Sequence, residues 1–131
     1  MKVTFSSPSV KYWQFSPVTV ESIKMCKNTL TISTREGTTI EIRDRLACCE
    51  ERYFATSDDN NMSGRKIDSI EAVYVSSGDS PNACMSLDTG FVRLCNNDNP
   101  LHTFNTYNEH NGYYGGLDIQ VYIVEKEQNG D

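Results

Sequence analysis

The 131-residue chain has little hydrophobic material. Only 37% of its residues are apolar, and its mean hydropathy is −0.52. No run approaches the ~20 apolar residues that a membrane-spanning helix requires, so no membrane partner is expected. Basic residues are also scarce: 12 Lys and Arg face 18 Asp and Glu, for a net charge of −6. Such a field repels phosphate backbones, which disfavours general nucleic-acid binding. The carboxylates are spread along the chain rather than gathered in an acidic tail.

The opening stretch MKVTFSSPSV lacks the apolar core of a secretory leader. Cysteines number five, an odd count, at positions 26, 48, 49, 84 and 95. Together these features predict reduced thiols and a cytoplasmic location. No Cys-x2-Cys spacing brings two sulfurs to one ion. There is also no HExxH, no Gly-flanked nucleophile elbow and no phosphate-cradling glycine loop. Neither a cofactor nor a catalytic residue is expected, and a binding role is favoured over an enzymatic one.

What is present reads as β structure. The length suits one domain over residues 1–131, with 1–17 an N-terminal extension or edge strand and 126–131 a frayed tail. Val3 and Phe5 suggest a first strand, and Pro8 and Pro17 bracket an extended or loop segment. Trp13, the lone tryptophan, is expected to plug one end of the core or to form an oligomer contact. Val18–Met25, Thr29–Thr34 and Thr38–Arg43 alternate polar and apolar residues, with a Glu36-Gly37 turn between the last two. Asp44 has the chemistry of a cap for one or two helical turns through Glu51. Residues 57–64 read as a polar loop or short helix. Further strands are expected at Lys66–Ser76, Ala83–Leu87, Phe91–Cys95, Leu101–Tyr107 and Leu117–Glu125, with turns at Gly78–Asn82, Asp88-Thr89-Gly90 and Asn96–Pro100. The expected fold is mainly β: an antiparallel curled sheet, sandwich or partly open barrel with one or two short helices.

Two segments exceed what folding needs. The first runs Ala47-Cys48-Cys49-Glu50-Glu51-Arg52-Tyr53-Phe54 and continues to Asp58-Asp59. Adjacent cysteines face different ways on either a strand or a helix, so one thiol and the neighbouring charges are available to a polar pocket. The bland alternative is one packed cysteine beside a solvated charged face. The second segment, Thr106 to Gly116, holds Tyr107, Asn108, Glu109, His110, Asn111, Tyr113 and Tyr114 with three glycines. A hairpin turn needs only the Asn-Gly pair. The added Tyr, Asn and His are suited to stacking on flat rings and hydrogen-bonding to polar edges; equally, the tyrosines would cover a sheet.

These two strings resemble the signature blocks of a family of small phage and bacterial proteins known as a domain of unknown function. Its members carry a CCE-type block after an early hairpin and an NEHNGYYGG-type block before the last strand. The resemblance covers roughly residues 30–124. Here Asn96–Phe104 resembles an insertion, and Asn60-Asn61 and Gly64 interrupt the helix that the family leads one to expect. The resemblance implies a viral or prophage origin and brings the two blocks into one molecule, without assigning any catalytic residue.

The candidate ligand-binding residues are therefore Cys48, Cys49, Glu50, Arg52, Tyr107, Asn108, His110, Asn111, Tyr113 and Tyr114. The expected function is sequestration of a small nucleotide-like host defence signal. The tyrosines would stack on a base, Asn108 and Asn111 would read its edge, and Arg45 or Arg52 would meet phosphate. A homo-oligomer suits that role. The alternatives are a protein-interaction module that inhibits a host enzyme, and a hydrolase or metal-binding protein using Cys48 or Cys49 with His110.

Overall fold

A computed structural model describes residues 9–45, 50–56, 61–79, 85–110 and 116–124. Eight strands form among the described residues: β1 (Ser9–Cys26), β2 (Thr29–Thr34), β3 (Thr39–Asp44), β4 (Glu50–Ala55), β5 (Lys66–Asp79), β6 (Ser86–Asn96), β7 (Asn99–His110) and β8 (Ile119–Val124). All pair antiparallel in one open, curled sheet ordered β4-β7-β6-β5-β1-β2-β3-β8.

Period-2 alternation explains the inner face. Leu30 and Ile32 on β2, Ile40 and Ile42 on β3, Ile67, Ile70 and Ala72 on β5, and Val92 and Leu94 on β6 are all buried. Each such aliphatic side chain contributes roughly 1.5–3 kcal/mol relative to exposure. Trp13 and Phe15 pack partly buried against this cluster, so Trp13 meets the expected core role.

β1 is the pivot of the curl. Its first half pairs with β5 and its second half with β2, with a register shift between Gln14 and Val18. Pro17 sits in that irregularity, where its missing N–H breaks no ladder. The segment is thus continuous strand from Ser9 onward rather than a loop. Two hairpin turns carry positive φ at non-glycine residues: Lys27 (41°), and Asn97 and Asp98 (50° and 65°). The Asn-Asp pair gives the primed turn that two-residue hairpins prefer.

Several sequence expectations are corrected. Asp44 ends β3 instead of capping a helix, and Glu50 and Glu51 open β4; among the described residues there is no helix. The long-range ladder to β7 outweighs the local capping signal. Asp88-Thr89-Gly90 is not a turn but the interior of the continuous strand β6. Gly90 is required by space, because a Cβ there would overlap the Val73 carbonyl oxygen and a Leu117 methyl. Gly78 lies in β5, and Asn99 and Pro100 lie in β7. The expected elements at Val3–Phe5, 57–60, 83–84 and 126–131 fall outside the described residues. No helix among the described residues is long and apolar enough to cross a membrane.

Candidate functional site

β4 carries part of the first segment and the end of β7 carries part of the second, and these strands are direct partners. Glu50 pairs with His110, Arg52 with Asn108 and Tyr53 with Tyr107. The two blocks thus lie side by side although they are more than fifty residues apart in sequence. Cys48, Cys49, Asn111, Tyr113, Tyr114 and Asp58-Asp59 fall outside the described residues. Glu50 is placed by its backbone alone.

Strand alternation sorts the rest. Arg52, Thr106, Asn108 and His110 point inward and are buried. Tyr53 and Tyr107 point outward and stack with ring centroids 5.1 Å apart and planes 27° apart. Glu51 lies directly across from Glu109, a like-charge pair that costs stability, and Lys27 reaches Glu51 at 3.8 Å. Burial, with the Glu109 charge, raises the Tyr53 phenol above its ordinary pKa.

The inward polar groups form two linked clusters. In one, Arg52 Nη1 donates to Asp44 Oδ1 at 2.5 Å. Asp44 also accepts from the Asp118 amide at 2.8 Å and from the Thr106 hydroxyl at 3.3 Å. Burial raises the Asp44 carboxyl above its ordinary range, while Arg52, the Asp118 amide and Thr106 pull it down. In the other cluster, Asp88 accepts from the Tyr74 hydroxyl at 2.9 Å and from the Gly116 amide. His110 Nε2 approaches Asp88 Oδ2 to 2.8 Å. Asn108 Nδ2 donates to the Gly116 carbonyl at 2.9 Å. Asp88 therefore ties the last residue of β7 and Gly116 to β6.

Buried polar groups of this kind are stable only when paired. Their chemistry is taken up in holding strands together, so a phosphate approaching Arg52 would have to displace Asp44. Of the other arginines, Arg43 pairs with Glu41 and lies 5.0 Å from the Tyr122 ring centroid. Arg93 pairs with Glu71 and lies 5.0 Å from the Phe91 centroid. Among the described residues no group of three His, Cys, Asp or Glu is placed to hold a metal ion.

Open space lies at the opposite end of the β4–β7 pair. A cavity of about 540 Å³ is lined by Glu21, Ser22, Ile23 and Met25 of β1, Thr56, Asn61, Met62 and Ser63 of the following segment, and His102 and Phe104 of β7. Its size falls within the range of small-molecule sites. Ile23, Met25, Met62 and Phe104 make the apolar part. His102 meets Phe104 edge to face at 4.5 Å, and its Nε2 lies 3.3 Å from the Thr56 hydroxyl. Among the described residues that line it, Glu21 is the one that carries charge.

The sequence places His102 in a strand, where it is expected to pack or face solvent, and singles out none of the cavity residues as a site. The signal was present, because His102 and Phe104 are two apart in an alternating strand and so share a face. Asp44 and Asp88 were missed as buried residues for a similar reason: Asp44 follows Ile40 and Ile42 on one face, but was read as a cap.

No curated protein and no solved structure matches the chain. A family model does match, over residues 16–119, a span that includes β4, β7 and the cavity between β1 and His102. The chain belongs to the family described as Domain of unknown function (DUF7448).

Proposed function

We propose that this chain is a binding protein for a small, flat, nucleotide-like molecule, held chiefly by its base. The observation that carries this reading is the cavity of about 540 Å³ beside His102 and Phe104. Its walls combine apolar side chains with Ser, Thr, Asn and His groups, the mixture that encloses a ring and reads its edge. Among the described residues that line it there is one acid, Glu21, and no Lys or Arg; on this reading a phosphate group projects outward rather than anchoring the ligand. Sequestration of a host defence signal, in a protein of phage origin, is the biological role that the sequence resemblance adds.

Thermal-shift titration of the full chain tests this with adenine, guanine, their nucleosides, mono- and cyclic nucleotides, and ADP-ribose. A rise of several degrees with one base series, little changed by added phosphates and abolished by His102→Ala, is the expected result. A flat response across the whole panel, or a response that grows with each phosphate and survives His102→Ala, would overturn it.

A further inference from the structure

On the outward face of this sheet, exposed apolar side chains gather over β1, β5 and β6, while β2 and β3 present polar ones and the edge strand β8 carries Tyr122 and Val124. On β2 and β3 the outward positions are Thr29, Thr31, Ser33, Thr39, Glu41 and Arg43, the solvated face expected of an antiparallel sheet. Across β1, β5 and β6 the corresponding row reads Val10, Val73 and Phe91, paired in register. Tyr12 and Val75 flank that row, which continues on β7 and β4 through Asn105 and Ala55, and the stacked Tyr53–Tyr107 pair lies beside it in the row of Thr89. Val10, Tyr12 and Val75 are 57%, 45% and 46% exposed. In a chain with only 37% apolar residues, a group of exposed apolar side chains on neighbouring strands marks a surface suited to be covered.

We propose that the outer face of β1, β5, β6, β7 and β4 is the interface of a homodimer, packed face to face against a second copy of the same face. Charge selects that occupant. The whole chain carries −6, so most of its surface repels a second copy. This strip is nearly neutral: Glu71 is paired with Arg93, whose guanidinium lies over Phe91, and Glu51 is paired with Lys27. Glu109, directly across from Glu51, is a further acid on this face. A face without net charge at its centre is compatible with itself about a two-fold axis, where like meets like. Four strand spacings of ~4.8 Å by about six residues at ~3.3 Å cover roughly 400 Å² of flat sheet, and side-chain relief enlarges this. Two such faces bury on the order of 1,000 Å², which is where specific interfaces begin. This surface is separate from the His102 cavity, and the inference stands whether or not that cavity binds a nucleotide.

Sedimentation and light scattering of the full chain over a concentration series test it. A dimer is expected at tens of micromolar, persisting in high salt because its contact is apolar. Val10→Lys with Val75→Lys should convert it to monomer with unchanged circular dichroism, whereas Ile123→Lys on the exposed edge strand β8 should leave it dimeric. If the double variant does not fold, Tyr12→Ser alone should weaken the dimer by about tenfold or more, the change expected on truncating an interface aromatic. A wild-type chain that stays monomeric overturns the proposal. So does a dimer that survives the outer-face variants, or one that only Ile123→Lys dissociates. A monomer that captures a different protein through this face also overturns it, and would support a docking module instead.

Discussion

The Arg52 guanidinium meets the Asp44 carboxylate at 2.5 Å with both side chains buried, and this pair bridges the two ends of the sheet. Asp44 lies on β3, next to the β8 edge, and Arg52 lies on β4, the opposite edge. The backbone also ties β4 to the turn between β1 and β2, since the Phe54 amide donates to the Lys27 carbonyl at 2.7 Å. Removing one partner leaves a charge buried without compensation. Arg52→Ala should therefore destabilise the fold by about 3–5 kcal/mol, read as a lower urea midpoint. Replacing both residues with Leu and Met should recover only part of this, because the Asp118 amide and the Thr106 hydroxyl would lose their shared acceptor. An Arg52→Ala midpoint equal to that of the wild type would show that the sheet ends do not close through this pair.

Gly90 occupies a position with no room for a side chain, between the Val73 carbonyl and Leu117. Gly90→Ala should cost about 1–3 kcal/mol or more through overpacking. Gly78→Ala should cost far less, since nothing lies within 4 Å of its Cβ position. Chemical denaturation of the two variants side by side checks this. Equal losses would mean that β6 does not approach Leu117 so closely.

Acid should loosen the contact between β1 and the β2–β3 turn. The Thr19 amide donates to Glu36 Oε1 at 2.8 Å, and that bond, foremost among several causes, holds the Glu36 carboxyl below its ordinary pKa. A carboxylate depressed in the folded state contributes stability that is present above its unfolded pKa of about 4.3 and is lost as pH falls through the folded value. Carbon-detected NMR should show Glu36 titrating below the ordinary glutamate range, with the Thr19 amide shifting in step. Glu36→Gln should remove that coupled shift. An ordinary Glu36 titration with a silent Thr19 amide would rule the bond out.

The two described thiols should differ in reactivity. Cys26 is exposed and Cys95 is buried, and burial, followed by the Glu71 charge, pushes the Cys95 thiol up. Since the thiolate is the nucleophile, iodoacetamide at about pH 8 should modify Cys26 rapidly and Cys95 only on unfolding. Peptide mapping by mass spectrometry measures both. Equal labelling of the two in the native protein would contradict the placement of Cys95.

Strand identity was legible wherever apolar residues alternate with polar residues, as in Leu30-Thr31-Ile32 and Ile40-Glu41-Ile42. That pattern needs no partner to be recognised, because a two-residue period follows from the backbone of a single strand. Local chemistry misled where a residue had two uses. Asp44 has the chemistry of a helix cap and is instead a buried acceptor. Gly90 looks like a turn residue and instead makes room for Leu117.

By itself, the sequence determined the β class, the inward sets of isoleucine and leucine, the acidic surface and the two polar-aromatic segments. These are properties of composition and short-range period. Only the tertiary structure decided that Arg52 meets Asp44, that His110 meets Asp88, that His102 and Phe104 border a cavity, and that Val10, Val73 and Phe91 share one outward row. Asp44 and Arg52 are only eight residues apart in the chain, but each of these relationships depends on sheet order and curl. Local periodicity carries no information about either, because long-range pairing is chosen by how the whole inner face packs.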